Sequence, residues 1–208
     1  MKTCVIFCAG EFEKPVEPIC DQDLVIAADG GLQHLEKLGR EPDMILGDFD
    51  SLGYVPAGAQ VFPVEKDDTD SMLAVRKGLA LGYRRFVLYG ALDGPRLDHT
   101  IANLQTLCFL KQQGATGYLA GKTTMAAAIS NETVTFPEGA DGIVSLFCMG
   151  EDAHGVTIKA LQYTMENGTL TSGFPLGVSN HFTAQQATVQ VRSGTLIVLY
   201  DVSNGFLA

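Results

Sequence analysis

Short apolar runs alternate with helix-period segments over about the first 120 residues of the chain. The runs TCVIFCAG (3–10) and LVIAAD (24–29) have no polar side to turn toward water, the pattern of parallel strands covered on both faces. After Asp29, Gly30-Gly31 predicts a tight turn, and Leu32, Leu35 and Leu38 mark one face of a short helix that stops at Gly39. Met44 to Leu46 and VFPV (61–64) read as further strands. The second of these leads into a helix that carries Met72, Val75 and Leu79 on one face and has Thr69 or Asp70 as its cap. RFVLYG (85–90) is the next strand, and Ile101, Leu104 and Cys108 mark the apolar face of a helix running from Leu97 to near Gly114.

From about Thr123 the helical period disappears. In its place stand short β-type runs: TTMAAAIS (123–130), TVTFP (133–137), IVSLFCMG (143–150), VTIKAL (156–161), and ATVQVRSGTLIVLYD (187–201), bent at Ser193-Gly194. Gly, Asn and Pro punctuate them at the intervals of a small sandwich. The expected fold class is therefore α/β: an N-terminal open, mainly parallel α/β sheet domain (1–122) followed by a smaller C-terminal all-β sandwich domain (123–208). No flexible linker, internal repeat or low-complexity tract separates them.

Composition narrows the function classes. Of 208 residues, 46% are hydrophobic and 18% charged, which is the balance of a folded globular chain. A formal net charge of -10 argues against nucleic acid as a partner, because phosphate backbones are bound through accumulated Lys and Arg. The apolar run at the start is short and passes at once into EFEKPVEP, so it reads as a buried strand rather than a signal peptide. No apolar run approaches the roughly 20 residues needed to cross a bilayer. Five cysteines without a CxxC pair fit core residues of a reducing compartment, so the expectation is a cytoplasmic protein without a membrane partner.

The acidic residues supply the candidate chemistry. They gather in four islands beside hydrophobic segments: AADGG (27–31), GDFDS (47–51), KDDTDS (66–71) and GPRLDH (94–99). Asp29, Asp48 and Asp50 stand at the ends of predicted strands, where open α/β sheets bind ligands, and Asp67, Asp68, Asp70 and Asp98 follow other strands. Carboxylates crowded there repel one another unless a cation gathers them, and hard oxygen ligands suit Mg²⁺ shared with phosphate oxygens. Arg96 offers a fork of donors to a phosphoryl group; Lys66 either joins it or balances its acidic neighbours. Taken singly, Asp29, Asp70 and Asp98 are also good helix caps. The chain has no GxxxxGK[ST] loop, glycine-rich kinase loop, HRD segment or GxSxG elbow, and its four histidines lack zinc-ligand spacing.

The ordered set ADGG, PDMILGDFDS, DDTDSMLA and GPRLDHTIANL, with GVSNHF (177–182) late in the chain, resembles the thiamine pyrophosphokinase family over nearly its whole length. The resemblance implies an ATP-binding α/β domain, a thiamine-binding sandwich and a homodimer whose subunits hold the vitamin between them. It implies transfer of the β,γ-pyrophosphoryl group of ATP to the hydroxyethyl oxygen of thiamine, leaving AMP, with Mg²⁺ as cofactor and ATP as co-substrate. Asp48, Asp50, Asp70 and Asp98 are the expected catalytic residues, and Asp48, Asp50, Asp67 and Asp98 the expected metal ligands. Asp29 and Arg96 are expected to contact substrate or nucleotide, and Ser179 and Asn180 the aminopyrimidine of thiamine. Departures from the family pattern are Leu32-Gln33-His34 in place of Ala-Asn-Arg, Pro95 in place of a glycine, and His181 in place of an acid. They bear on adenine contacts and substrate preference. The rival readings are another Mg-dependent diphosphokinase or phosphotransferase, and a catalytically silent nucleotide- or thiamine-binding module.

Overall fold

A computed structural model describes residues 2–50 and 52–207; Ser51, the last residue of the GDFDS island, lies outside the described residues. Six strands form the parallel part: β1 (Cys4–Phe7), β2 (Leu24–Ala28), β3 (Met44–Gly47), β4 (Gln60–Val61), β5 (Arg85–Tyr89) and β6 (Thr116–Ala120). Their spatial order is β4-β3-β2-β1-β5-β6, every adjacent pair being parallel. The chain moves outward from β1 to β4 and then returns to place β5 on the other side of β1. The β1/β5 junction is thus a point where strand order reverses.

Both faces of this sheet are covered, which is why β1 and β2 can be apolar throughout. Alternate residues go to opposite cores. Ile6, Ile26, Leu88 and Leu119 pack with Ala74, Val75, Leu107 and Leu110 from α2 (Asp70–Ala80) and α3 (Leu97–Gln112). Val5, Phe7, Val25 and Tyr89 face the other way, against Leu32 and Leu35 of α1 (Leu32–Leu38). The third helix turns a different face inward from the one its apolar spacing predicts. Asn103, Thr106, Leu107 and Leu110 are buried, while Ile101 is 48% exposed. The reason is a polar pairing across the helices: the Ser71 hydroxyl donates to Asn103 Oδ1 at 2.7 Å, and Asn103 Nδ2 donates to the Ala91 carbonyl at 2.8 Å.

The second half supplies β7 (Thr124–Ile129), β8 (Glu132–Phe136), β9 (Ile143–Cys148), β10 (Ala153–Lys159), β11 (Met165–Leu170), β12 (Asn180–His181), β13 (Ala187–Val191) and β14 (Leu196–Asp201). Strand β7 turns back at Gly121 to Thr124 and pairs antiparallel with β6, covering an edge that would otherwise expose unpaired backbone groups. Strands β14, β9 and β12 continue from it, so one sheet of ten strands runs across both halves. The other layer is the antiparallel sheet β11-β10-β13-β8, and its Phe136, Val156 and Val189 pack in one core with Met125, Val144 and Tyr200 of the large sheet. Two layers are present as expected, but one of them is a continuation of the parallel sheet. The bend at Ser193-Gly194 likewise does not make a hairpin. It sends β13 and β14 into different sheets, and Gly194 permits this with φ of 84° where a Cβ would lie 2.5 Å from the Asp152 carbonyl oxygen.

Two local expectations shift. The run VFPV shortens to the edge strand Gln60–Val61, since Pro63 has no N–H to extend the ladder. Strand β11, MENGTL, carries Glu, Asn and Gly on an exposed edge and lacks the apolar alternation that would announce it. Among the described residues no helix is long and apolar enough to cross a membrane.

Candidate active site

Two of the four acidic islands, AADGG and GDFDS, meet at the carboxyl ends of β2 and β3, and Lys66 and Asp70 of a third stand beside them. Asp29 follows β2 and opens a 3-10 turn, Asp29–Gly31, with φ of 48°. That turn lies hard against β1: a Cβ on Gly31 would sit 1.9 Å from the Phe7 carbonyl oxygen. After β3 the chain reaches Asp48-Phe49-Asp50, where Phe49 has φ of 60° and is only 3% exposed. Burying the ring at a left-handed residue is costly for a bulky side chain, and it turns the two flanking aspartates toward one place. The Asp50 N–H donates to Asp48 Oδ1 at 3.3 Å. One carboxylate oxygen from each of Asp29, Asp48 and Asp50 lies within 4.8 Å of the others. Three hard anionic ligands at that separation fit a divalent cation with room for water and phosphate oxygens.

Lys66 adjoins this group. Its Nζ lies 2.5 Å from Asp48 Oδ2 and 3.1 Å from Asp70 Oδ1, and the three side chains are only 14%, 11% and 21% exposed. The hydrogen bond from Lys66 holds the Asp48 carboxyl below the usual carboxylate range. Burial pushes Asp70 the opposite way, against the pull of Lys66. Burial also opposes the ammonium, but the bonds to Asp48 and Asp70 together raise its pKa. Asp70 opens α2, whose cap is Thr69: its hydroxyl oxygen accepts from the Met72 N–H at 3.2 Å.

Other expected site residues stand elsewhere. Arg96 and Asp98 grip each other in an exposed bidentate pair at 3.0 and 2.6 Å, outside the Asp29/Asp48/Asp50 group. The Arg96 hydrogen bonds draw the Asp98 pKa down to about 2. In Arg96→Gln, the Asp98 midpoint followed by carboxyl NMR should rise from about 2 into the ordinary range near 4. Because the folded value is the depressed one, this pair favours the folded state above the ordinary carboxylate pKa, and that contribution fades as pH falls toward 2. Asp67 is exposed, and Asp68 pairs with Arg76 at 2.8 Å.

Ser179 has φ of 59° and its N–H donates to Ser145 Oγ at 3.0 Å. Asn180 is 6% exposed, and its side chain is spent on Tyr163: Oδ1 accepts from the Tyr163 N–H at 2.9 Å and Nδ2 donates to its carbonyl at 2.7 Å. Strand β12 is at one edge of the ten-stranded sheet and β3 is next to the other edge, eight strand spacings away. That is about 38 Å along the sheet, so Asn180 and the acidic group are far apart within the chain.

Gly10, Glu11 and Asp93, which the sequence did not single out, hold the loops in place together with His34. The Gly10 N–H donates to the Gly90 carbonyl at 2.9 Å, and the Glu11 N–H to the Asp93 carbonyl at 2.7 Å. Asp93 Oδ2 accepts from the Lys122 N–H at 2.6 Å, and His34 Nε2 donates to the Gly10 carbonyl at 2.7 Å. The loop that carries Arg96 is thus tied to the β1 loop and to the β6–β7 turn. A lone Asp on a loop and a lone His on a helix gave no pattern of their own to find. The pairing of Ser71 with Asn103 was equally hidden, and Asn103→Ala, which leaves the Ala91 carbonyl buried without its donor, is expected to cost about 1–3 kcal/mol in urea unfolding.

Comparison with known proteins identifies the family of the chain. The model "Thiamin pyrophosphokinase, catalytic domain" matches residues 18–119, and "Thiamin pyrophosphokinase, vitamin B1 binding domain" matches residues 128–196. The chain belongs to the thiamin pyrophosphokinase family. It is 28% identical over 199 residues to the thiamine pyrophosphokinase of Bacillus subtilis (strain 168), covering 86% of this chain and 87% of that one. A crystal structure of thiamine pyrophosphokinase from Bacillus subtilis aligns with a TM-score of 0.84 at 25% identity, covering 96% of this chain and 99% of the other. The yeast thiamin pyrophosphokinase structure shares the fold at 14% identity, with a TM-score of 0.74 over 98% of this chain and 87% of the other. The function is accordingly that of the family, transfer of the pyrophosphoryl group of ATP to thiamine, and the chain is an enzyme. The first four motifs fall within the span matched by the first model, and GVSNHF falls within that of the second.

Proposed function

We propose that this chain makes thiamine diphosphate and AMP in a magnesium-dependent reaction in the cytoplasm, as a homodimer whose acceptor pocket is completed across subunits. The observation that carries the reading is the convergence of Asp29, Asp48 and Asp50 at the carboxyl end of the parallel sheet. Mg²⁺ held by Asp48 and Asp50, with Asp29 beside them, would neutralise triphosphate charge; Asp67 and Asp98 are further carboxylates for its waters or for the nucleotide. Arg96, released from Asp98, offers two parallel donors to phosphate oxygens. Asp70 faces the site from the first turn of α2 and is suited to orient the thiamine hydroxyl and take its proton, since burial favours its protonated form. The hydroxyl oxygen attacks the β-phosphorus, the bond to the oxygen shared with the α-phosphorus breaks, and AMP leaves.

Ser179 and Asn180 act on the vitamin, Asn180 by fixing Tyr163 while the Ser145 hydroxyl fixes the Ser179 turn beside it. The separation of these residues from the acidic group along one sheet supports a site shared between subunits. So do Phe174, Leu176 and Val178, close to Asn180 in sequence, and Tyr163, hydrogen-bonded to it, exposed apolar side chains that suit a surface covered by a second copy. On this reading residues 1–122 serve ATP and residues 123–208 serve thiamine and the dimer.

Incubation with Mg-ATP and thiamine should yield thiamine diphosphate and AMP by chromatography; ADP as the sole nucleotide product refutes pyrophosphoryl transfer. Subunit sharing has its own test. Asp50→Asn and Asn180→Ala proteins, each nearly inactive alone, should regain activity when unfolded together and refolded as a mixture. If the mixture stays at the level of its parts, each subunit works with its own residues only.

A further inference from the structure

We propose that the Lys66 ammonium is a built-in counter-ion, which binds Asp48 when no divalent cation is present and gives that carboxylate up when one arrives. The inference rests on the reading of Asp29, Asp48 and Asp50 as a cation site, and it concerns what this chain does with those charges when the cation is away.

Asp48 belongs to two groupings at once. It supplies one of the three oxygens gathered within 4.8 Å, and its Oδ2 is 2.5 Å from Lys66 Nζ. A divalent ion bound there and an ammonium at that distance are like charges competing for one carboxylate in a largely buried place. The ammonium also has somewhere to go. Besides Asp48 it has an ion pair with Asp70 Oδ1 at 3.1 Å and a hydrogen bond to the Pro63 carbonyl at 3.2 Å, so it keeps two partners when Asp48 is withdrawn. A lysine that only balanced the net charge of KDDTDS would need neither the short bond to Asp48, 18 residues earlier, nor the low exposure of all three side chains.

The arrangement solves a stability problem. Four aspartates at one edge would repel in the metal-free chain, and one half-buried cation between Asp48 and Asp70 relieves part of that repulsion. The same cation makes binding of the metal conditional, since the metal must displace it from Asp48.

The test is Mn²⁺ binding to the protein alone, without nucleotide, followed by electron paramagnetic resonance. Lys66→Met keeps the length of the side chain and removes the charge, and should bind Mn²⁺ about tenfold more tightly than the parent. In the same variant thermal unfolding without metal should begin at lower temperature, and Mn²⁺ should raise the midpoint by more than it does in the parent. Lys66→Arg, which keeps the charge, should bind Mn²⁺ no more tightly than the parent. Should Lys66→Met fail to fold, Lys66→Gln, whose amide still donates to Asp48, takes its place with the same expectation. Affinity in the uncharged variant equal to or weaker than the parent's overturns the proposal. Product formation from Mg-ATP and thiamine by the parent is scored separately. A parent that makes thiamine diphosphate beside a variant without tightened Mn²⁺ binding removes only the counter-ion. A parent that makes none, beside a variant that binds Mn²⁺ tightly, removes the catalytic reading and leaves the counter-ion standing.

Discussion

Asp50→Asn is expected to lower turnover by about 10²-fold or more while leaving the thermal midpoint within a few degrees of the parent. The substitution keeps the shape of the side chain and removes one of the three charges gathered within 4.8 Å. Asp50 is exposed and pairs with no lysine or arginine among the described residues, so its charge contributes little to the folded state. Loss of one preorganised electrostatic partner of a transferring phosphoryl group typically costs about 10²–10³ in kcat. The measurement is kcat and KM for Mg-ATP and thiamine, with the dependence on Mg²⁺ concentration. A shift of the Mg²⁺ optimum to higher concentration with partial recovery of rate places the lost charge at the metal. Near-normal turnover at ordinary Mg²⁺ concentration would remove Asp50 from the site.

Gly31→Ala tests the frame rather than the charges. The added methyl would lie 1.9 Å from the Phe7 carbonyl oxygen and 2.3 Å from its carbon, both backbone atoms of the central strand β1. Neither can rotate away, so the 3-10 turn and the start of α1 must lift off the sheet. Overpacking of this kind costs about 1–3 kcal/mol or more, which for a chain of this size lowers the midpoint by several degrees. Asp29, two residues earlier, moves with the turn, and activity should fall further than the loss of stability alone explains. Calorimetry together with kcat at a temperature where both proteins are folded separates the two effects. A variant with parental midpoint and parental rate would show that the turn is not fixed against β1.

The two predictions differ in how far the sequence led to them. The continuous apolar runs of β1 and β2 required burial on both faces, and that alone called for a parallel sheet with helices. With strands so placed, Asp29, Asp48 and Asp50 had to emerge at one edge, because parallel strands end on the same side. Helix α2 announced its own start through Thr69. These features are local or follow from strand direction, and they are legible in a chain read residue by residue.

What the tertiary structure decided were the pairings between segments distant in sequence. Lys66 sits beside Asp70 by helix-like spacing, but its bond to Asp48 depends on how the loop after β4 returns. Arg96 and Asp98 are both present in GPRLDH, yet only folding shows them bound to each other. Asn180 reads as a polar ligand group, and folding sets its side chain on the Tyr163 backbone. The β6 edge could have ended the first half, and instead pairs with β7 and carries one sheet through the molecule. Periodicity and turn chemistry are set by neighbours in the chain, so the sequence determined the elements and the end of the sheet at which the acids gather. Charge pairing and edge closure depend on which surfaces meet in space, and no local pattern encodes that meeting.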